Sequence, residues 1–336
     1  MCLYPRLIKN NKYKENKKNK GVIPEVKDKR VLSVPVGCGK CIECRKKKAR
    51  DWQVRLSEDL RVNKNAKFVT LTFSEHALDK LDREIKGVSG YERDNEICSL
   101  AVRRFTERWR KKWGKTIRHW LVTELGGNYT ERVHLHGLLW TDSNIAEIRE
   151  KWQYGRVVLG NGKEHYVSEK TVNYIVKYIS KIDEKHKEYK GRIYTSNGIG
   201  REYVNRDDSK LNVYRKEGET KETYTTRTGV ELGLPVYYRN KIYNEDERES
   251  LWLEKLDKEE RYVCGVKVDI SKGEEEYFKL LEVKRDYNKR MGYGDDEKNW
   301  ELKRYENQRR NLIKMERIKK LYDKETGQIG RKKVNK

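Results

Sequence analysis

Two histidines carry the first chemical signal in this chain. His134 and His136 stand two positions apart in residues 133–140 (VHLHGLLW), an apolar, branched and aromatic run that is typical of a buried strand. Because residues i and i+2 of a strand project from the same face, both imidazoles point the same way. Two neutral imidazoles side by side form half of a metal site, so the pair predicts a bound divalent ion. The alternative is a structural pair of hydrogen-bonded histidines.

Two tyrosines follow on a predicted helix that also carries cations. One face of this helix, an arc of roughly 100°, holds Tyr174, Lys177, Tyr178 and Lys181. The opposite face is apolar and would pack on a sheet. A tyrosine hydroxyl can attack a phosphodiester that a divalent ion polarises, and the lysines offset the negative charge. Two tyrosines one turn apart allow a second transfer while the first is occupied, which predicts cutting and rejoining of a nucleic-acid strand. The alternative is two amphipathic tyrosines at the margin of a core.

A third metal ligand is expected beside the histidines. Glu124 ends the preceding predicted strand, residues 117–124, which would form an antiparallel hairpin with the histidine strand. A carboxylate suits Mg²⁺ or Mn²⁺. His119 is the competing ligand, but it stands five positions earlier and should face the other side of that strand. We therefore favour Glu124.

The cysteines suggest a second metal site. Cys38, Cys41 and Cys44 follow a C-x-x-C-x-x-C pattern, and a structural zinc ion usually takes four ligands. Cys2 is the natural fourth ligand, because the polar arm between it and Cys38 is long enough to loop back. The alternative is a set of reduced cysteines in a turn. The remaining two, at positions 98 and 264, have no partner at metal-ligand spacing.

The charge of the chain points to a polyanionic partner. The 336 residues include 78 Lys plus Arg and 54 Asp plus Glu, so the net charge is 78 − 54 = +24. Such an excess attracts nucleic acid through counterion release, although a solubility charge or a ribosome-associated protein would also show it. The chain lacks an apolar run long enough to cross a membrane and an apolar signal segment at its start. We therefore expect a cytoplasmic protein with reduced cysteines and no membrane partner.

The order of predicted elements indicates an α+β fold. Strands are predicted at residues 68–73, 117–124 and 133–140, with a weaker strand pair at 157–167, and helices at 45–62, 100–113, 144–152 and 169–182. This order favours an antiparallel sheet with helices packed on one face. Residues 1–30 are expected to be a solvated arm, residues 74–98 a polar insertion and residues 274–322 mostly helical. Short strands are predicted near 213–214 and 223–226, and a helix at 244–260.

These motifs together resemble a known superfamily. The His-hydrophobic-His strand and the Tyr-x-x-x-Tyr helix resemble the HUH endonucleases that start rolling-circle replication. More specifically, residues 1–182 resemble the replication initiation proteins of small single-stranded DNA phages, the Microviridae. The further segments that carry this resemblance are residues 37–45 (GCGKCIECR), 68–73 (FVTLTF) and 123–126 (TELG). It implies an HUH endonuclease-like core at residues 61–186, after a basic arm and cysteine segment at 1–60 and before an accessory region with a basic helical tail at 187–336.

The resemblance implies a function as well as a fold. It describes a site-specific, metal-dependent DNA endonuclease and strand transferase that initiates rolling-circle replication through a 5′-phosphotyrosine, with Mg²⁺ or Mn²⁺ as cofactor. It also supports cysteines near the start of the chain and at 38–44, whose spacing predicts a structural Zn²⁺. The implied partners are single-stranded and origin DNA and the host helicase and polymerase, in the host bacterial cytoplasm. Two other functions stay open. A two-tyrosine transposase would share the chemistry, and a non-catalytic basic nucleic-acid-binding protein would share only the charge.

Overall fold

The computed structural model describes most of the chain and divides it into two units. The described residues are 2–126, 131–160, 167–183, 185–186, 189–216 and 218–295, with the single residues 312, 315 and 319. The terminal unit comprises residues 1–44 and 245–336, and the central unit comprises residues 45–244. The three-part division expected from the sequence stays a prediction. Among the described residues, no helix is both long enough and apolar enough to cross a membrane.

Helices and antiparallel strands alternate along the chain. In order they are β1 (Arg6–Lys9), β2 (Ser33–Val36), α1 (Ile42–Val62), β3 (Ala66–Leu71), α2 (Glu75–Asp82), α3 (Gly90–Trp113), β4 (Arg118–Leu125), β5 (Val133–Trp140), α4 (Ile145–Trp152), β6 (Val157–Leu159), α5 (Glu169–Ser180), β7 (Ile193–Thr195), α6 (Asp207–Lys210), β8 (Thr223–Thr225), β9 (Glu231–Gly233), α7 (Val236–Ile242), α8 (Glu245–Asp257), β10 (Glu260–Val263), β11 (Val266–Asp269) and α9 (Glu275–Arg290). Short 3₁₀ helices occupy Asn11–Tyr13, Lys29–Leu32 and Arg201–Asn205.

The central unit is built on a five-stranded sheet in the order β6-β3-β5-β4-β7. Every neighbouring pair in this sheet is antiparallel. The register pairs Glu124 of β4 with His134 of β5, and His136 of β5 with both Val122 of β4 and Thr70 of β3. The predicted α+β class, with helices packed on an antiparallel sheet, is confirmed.

Helices cover both faces of this sheet, so the prediction of helices on one face was wrong. One apolar cluster contains Leu121, Leu135 and Leu139 of the sheet with side chains of α2, α3 and α4. A second cluster contains Trp120, Val122 and Leu138 with side chains of α1 and α5. The reason lies in β4 and β5, which place large apolar side chains on both faces and therefore need cover on both.

Residues 74–98 are helical and partly buried, which corrects the expected polar insertion. They contain α2 and the first turns of α3. The hydroxyl of Ser74 accepts a hydrogen bond from the Ala77 amide at 3.2 Å and so caps α2. Leu81, Ile97 and Cys98 are buried in the first apolar cluster. Sparse apolar residues at helical spacing are enough to dock these helices, although the segment reads as polar overall.

The first thirty residues are also more ordered than the expected solvated arm. β1 pairs with β2, and a 3₁₀ helix ends at Tyr13. Tyr13 is 3% exposed, and its hydroxyl donates to the Glu249 carboxylate at 2.8 Å. Lys12 forms ion pairs with Asp246 at 2.8 Å and with Glu249 at 2.9 Å. These partners are more than 230 positions away, so local composition could not reveal them.

The remaining predicted helices and strands are confirmed only in part. The strand near residues 223–226 is present as β8, whereas residues 213–214 form no strand. The helix expected at 244–260 is α8, and α9 accounts for the first part of the helical region expected at 274–322. The weaker strand pair at 157–167 is represented by β6, while residues 161–166, with most of its turn, lie outside the described residues. Most of the chain beyond residue 295, including the basic end, also lies outside them.

Substitution of Gly137 tests how closely β4 and β5 approach each other. A Cβ at this position would lie 2.0 Å from the Trp120 carbonyl oxygen and 2.7 Å from Leu121 Cα. Because both atoms belong to the backbone, Gly137→Ala should lower the free energy of unfolding by about 2 kcal/mol or more. Gly233→Ala is the matched control, since a Cβ there would meet no atom within 4 Å. Thermal unfolding measures both, and equal melting temperatures would contradict this packing.

Candidate active site

Strand register brings three candidate metal ligands together on one face of the sheet. Glu124 Oε2 lies 3.4 Å from His134 Nε2 and 3.1 Å from His136 Nε2. One ligand atom from each of the three residues lies within 4.8 Å of the others. The three side chains expose only 12–20% of their surfaces, so water screens their mutual interactions weakly. Two imidazole nitrogens and a carboxylate oxygen form a donor set that fits a divalent ion such as Mn²⁺ or Mg²⁺.

The hydrogen bonds behind the imidazoles support this use of the histidines. Nδ1 of His134 lies 3.2 Å from the Arg132 carbonyl oxygen. A carbonyl can only accept, so Nδ1 carries the proton, and Nε2 is the nitrogen that can bind a metal ion when the ring is neutral. Nδ1 of His136 lies 2.9 Å from the Thr70 hydroxyl, which allows the same tautomer. Holding the outer nitrogen in this way is how proteins orient histidine ligands.

The Glu124 side chain is negatively charged, which suits a ligand of a metal ion. Burial raises the pKa of its carboxyl group, but contacts with His134, His136 and Lys181 outweigh burial and hold that pKa well below its ordinary value. Lys181 Nζ lies 2.9 Å from the other carboxylate oxygen, Oε1. This hydrogen bond in turn raises the pKa of Lys181. Glu124 is therefore an anion and Lys181 a cation at neutral pH.

Helix α5 lays the tyrosines against this cluster. Ser168 is its N-cap residue, and the Ser168 amide donates to the Thr171 hydroxyl at 3.3 Å. Val172, Ile175 and Val176 are buried in the second apolar cluster. Because this face of the helix is buried, the opposite face points away from the core. That outward face carries the four residues predicted to act on phosphate, with Lys181 at the C-cap position. The periodicity of the sequence was sufficient to identify this face of the helix.

The two tyrosines contact each other and the central strands, since Tyr178 packs on β5 and Tyr174 on β3. The Tyr178 hydroxyl donates to the Tyr174 hydroxyl oxygen at 2.8 Å. The Tyr178 ring stacks on His136, with ring centroids 4.4 Å apart and an interplanar angle of 8°. Tyr174 is 50% exposed and packs edge-on against Phe68 at 5.9 Å. Burial raises the pKa of Tyr178, and the hydrogen bond to Tyr174 and the charge of Glu124 raise it further.

His119 lies away from this cluster, as strand alternation predicted. Its Nδ1 is 3.0 Å from the Ile117 carbonyl oxygen and 3.1 Å from the Ser196 hydroxyl. Burial lowers the pKa of this histidine. Among the described residues, the group that could hold a divalent ion through histidine contains Glu124 and not His119.

Several residues at the site were not identified from the sequence. Thr70, Phe68 and the carbonyl of Arg132 position the imidazoles and Tyr174, but their roles depend on strand register, which spacing does not reveal. A cavity of about 690 Å³ adjoins His134. Its lining includes Thr70, Thr72, Ser74, Arg132 and Arg156. Hydroxyls and guanidinium groups are suitable partners for a phosphate backbone.

The cysteines of the sequence pattern also come together. The sulfur atoms of Cys2, Cys38, Cys41 and Cys44 lie within 4.8 Å of one another in the terminal unit. Cys98 is buried in the first apolar cluster and Cys264 is partly buried.

Comparison with known proteins bears on the central unit. Residues 66–183, 118 of the 336 residues, match a family model described as a replication-associated protein. This segment is similar to replication-associated proteins. It runs from the start of β3 to just beyond α5 and so contains Glu124, both histidines and both tyrosines. The match covers about a third of the chain, including every residue of the candidate active site. The search of curated proteins and the search of solved structures found no match.

Metal affinity tests the ligand set directly. We expect His134→Ala, His136→Ala and Glu124→Gln each to weaken Mn²⁺ binding about tenfold or more, because each removes one of few donors. His119→Ala should bind Mn²⁺ like the wild type. Electron paramagnetic resonance of free Mn²⁺ during titration measures the affinity without any substrate. A larger loss in His119→Ala than in Glu124→Gln would reassign the third ligand.

Proposed function

We propose that this chain is a site-specific DNA endonuclease and strand transferase that starts rolling-circle replication through a 5′-phosphotyrosine. The observation that carries the proposal is the placement of two hydrogen-bonded tyrosine hydroxyls beside His136, next to a His-His-Glu donor set. The similarity of residues 66–183 to replication-associated proteins supports DNA replication as the context.

Each group has a chemical role in this proposal. His134, His136 and Glu124 would hold the divalent ion, which when bound would polarise a non-bridging phosphate oxygen. Lys181 donates to Glu124 and keeps the carboxylate ionised. Lys177 is exposed on the same helix face and adds positive charge where the scissile phosphate would bind.

Cleavage is a transfer between two oxygen atoms. The oxygen of one tyrosine forms a bond to phosphorus as the bond between phosphorus and the 3′ oxygen breaks. The tyrosine loses its proton, and the departing 3′ oxygen takes one up, so no further reactant is consumed. The 5′ end stays on the protein, and the free 3′-OH becomes available as a primer. The phosphotyrosine conserves the bond energy for rejoining.

Two tyrosines allow the cycle to close. Residues four apart on a helix lie about 5–6 Å from each other on the same face, and here the hydroxyls are 2.8 Å apart. After one round of synthesis the second tyrosine would cut the regenerated origin. The older 3′ end would then attack the first phosphotyrosine and release a circle. The phage genome, the host helicase and polymerase, and the bacterial cytoplasm enter this proposal through the Microviridae resemblance.

Substitution of the tyrosines tests the mechanism. We expect Tyr174→Phe and Tyr178→Phe each to retain some covalent attachment to single-stranded origin oligonucleotides in Mn²⁺, and the double variant to retain none. Loss of the hydroxyl removes the nucleophile and little else. Circularisation needs two attacks, so at least one single variant should fail at it. Denaturing gels measure both products.

The control for these variants is Tyr262→Phe, a tyrosine that is 46% exposed in the terminal unit and should leave attachment unchanged. Adducts in the double variant would point to another nucleophile. If one single variant loses all cleavage and the other keeps full activity, the enzyme uses one tyrosine. A wild type that binds DNA without forming adducts would be a binding protein.

The cavity beside His134 yields a separate expectation. Arg156 is exposed at its edge, so we expect Arg156→Ala to weaken binding of single-stranded DNA several-fold and to reduce its salt dependence by roughly one phosphate contact. Lys210→Ala, which also removes one exposed positive charge, is the control. Fluorescence anisotropy over a range of salt concentrations measures both. Equal affinities for the two variants would place the DNA path elsewhere.

A further inference from the structure

Four cysteine sulfurs in the terminal unit surround a common point. Cys2 Sγ lies 3.9 Å from Cys41 Sγ, and Cys38 Sγ lies 4.0 Å from Cys44 Sγ. All four sulfurs lie within 4.8 Å of one another. A tetrahedron with zinc–sulfur bonds of about 2.3 Å has sulfur–sulfur edges of about 3.8 Å. The two separations of 3.9 and 4.0 Å are close to this edge length, so the cluster has the size of a tetrahedral thiolate site.

Backbone amides point at two of these sulfurs. The amides of Tyr4 and Cys38 donate to Cys2 Sγ at 3.3 and 3.2 Å. Those of Lys40 and Cys41 donate to Cys38 Sγ at 3.4 and 3.3 Å. Hydrogen bonds from N–H groups favour a thiolate over a thiol, and the thiolate is the form that binds a metal. A loop that held four plain thiols would gain little from this arrangement.

Two glycines shape the loop around the cysteines, one by close packing and the other by its backbone conformation. A Cβ on Gly37 would lie 3.0 Å from Cys44 Sγ and 3.6 Å from Cys2 Cβ. Gly39, between the first two cysteines of the pattern, has a φ of +74°, which favours glycine. These two glycines let the chain wrap closely around the sulfurs.

The surroundings of the sulfurs are apolar. Cys41 is fully buried, and the other three pack against a cluster that includes Leu3, Val263, Tyr277 and Leu281. Negative thiolates in such surroundings would be unstable without a compensating cation. A closed set of four cysteines is typical of structural zinc, whereas catalytic zinc sites keep one position open.

We propose that the terminal unit binds one structural zinc ion through Cys2, Cys38, Cys41 and Cys44. The ion would join the start of the chain to the segment that opens α1. The same region also holds α9, because the Ile42 amide donates to Asn288 Oδ1 at 2.8 Å and Arg285 Nε donates to the Leu3 carbonyl at 2.9 Å. Zinc binding therefore contributes directly to the folding of residues that lie far apart in sequence. This site is independent of the proposed phosphotyrosine chemistry.

Elemental analysis of the full-length protein tests the proposal. We expect one zinc ion per chain in the wild type and in Cys264→Ser, a neighbouring cysteine of the same apolar cluster. Cys41→Ser should contain at most about a tenth as much zinc. Wild-type zinc content in Cys41→Ser, less than about a tenth of an ion in freshly purified wild type, or iron in place of zinc would overturn the assignment.

A second measurement covers the case in which Cys41→Ser does not fold. Wild-type protein stripped of metal and titrated with Co²⁺ should show the absorption of a tetrahedral cobalt–thiolate site and saturate at one ion. Hydrogen exchange should show the amides of α9 about tenfold less protected after stripping and protected again after zinc is restored. Co²⁺ bound without thiolate absorption, or α9 protection that does not change, would contradict the proposal.

Discussion

Glu124 Oε2 lies 3.4 Å from His134 Nε2 and 3.1 Å from His136 Nε2, and this close approach of three candidate metal-ligating atoms sets the requirements for the central unit. Polar side chains with little exposed surface keep such a geometry only when the backbone holds them in place. The backbone does so through register, since Glu124 pairs directly with His134 across β4 and β5. Alternation along the strand then brings His136 to the same face. A shift of one residue would turn the donors to opposite faces, so the site depends on the packing that prevents a shift.

That packing comes from both faces of the sheet. Gly137 permits the close approach of β4 beside the second histidine, and large apolar side chains fix β4 and β5 between two helical layers. The candidate metal ligands are held by strands with a period of two, whereas the candidate nucleophiles are held by a helix with a period of 3.6 residues. These two elements meet where the Tyr178 ring stacks on His136. The chemistry is therefore located where a strand face and a helix face coincide, on rigid elements rather than loops.

Sequence alone was informative where one periodicity dominates. The tyrosine face of α5, the histidine strand and the choice of Glu124 as the third donor follow from spacing, because each is a property of one element or one hairpin. Thr70, Phe68 and Arg132 could not be found in this way, since their roles depend on which strand neighbours which and in what register. Tyr13 illustrates the same restriction, because its partner Glu249 is 236 positions away. The layer on the second sheet face was missed because apolar strands show that burial exists, not which helices provide it.

The contact between the tyrosines adds a constraint on the proposed mechanism. Two phenolates 2.8 Å apart would repel strongly, so the pair loses its protons one at a time, and each ionisation makes the next less favourable. The anionic Glu124 acts in the same direction on Tyr178, whose pKa is raised. Only one activated nucleophile would then be available at any moment. In the proposed cycle the two cuts are separated by a round of synthesis, and this coupling would keep the second tyrosine protonated while the first one attacks. The same hydrogen bond that brings the hydroxyls together would therefore also keep them from acting together.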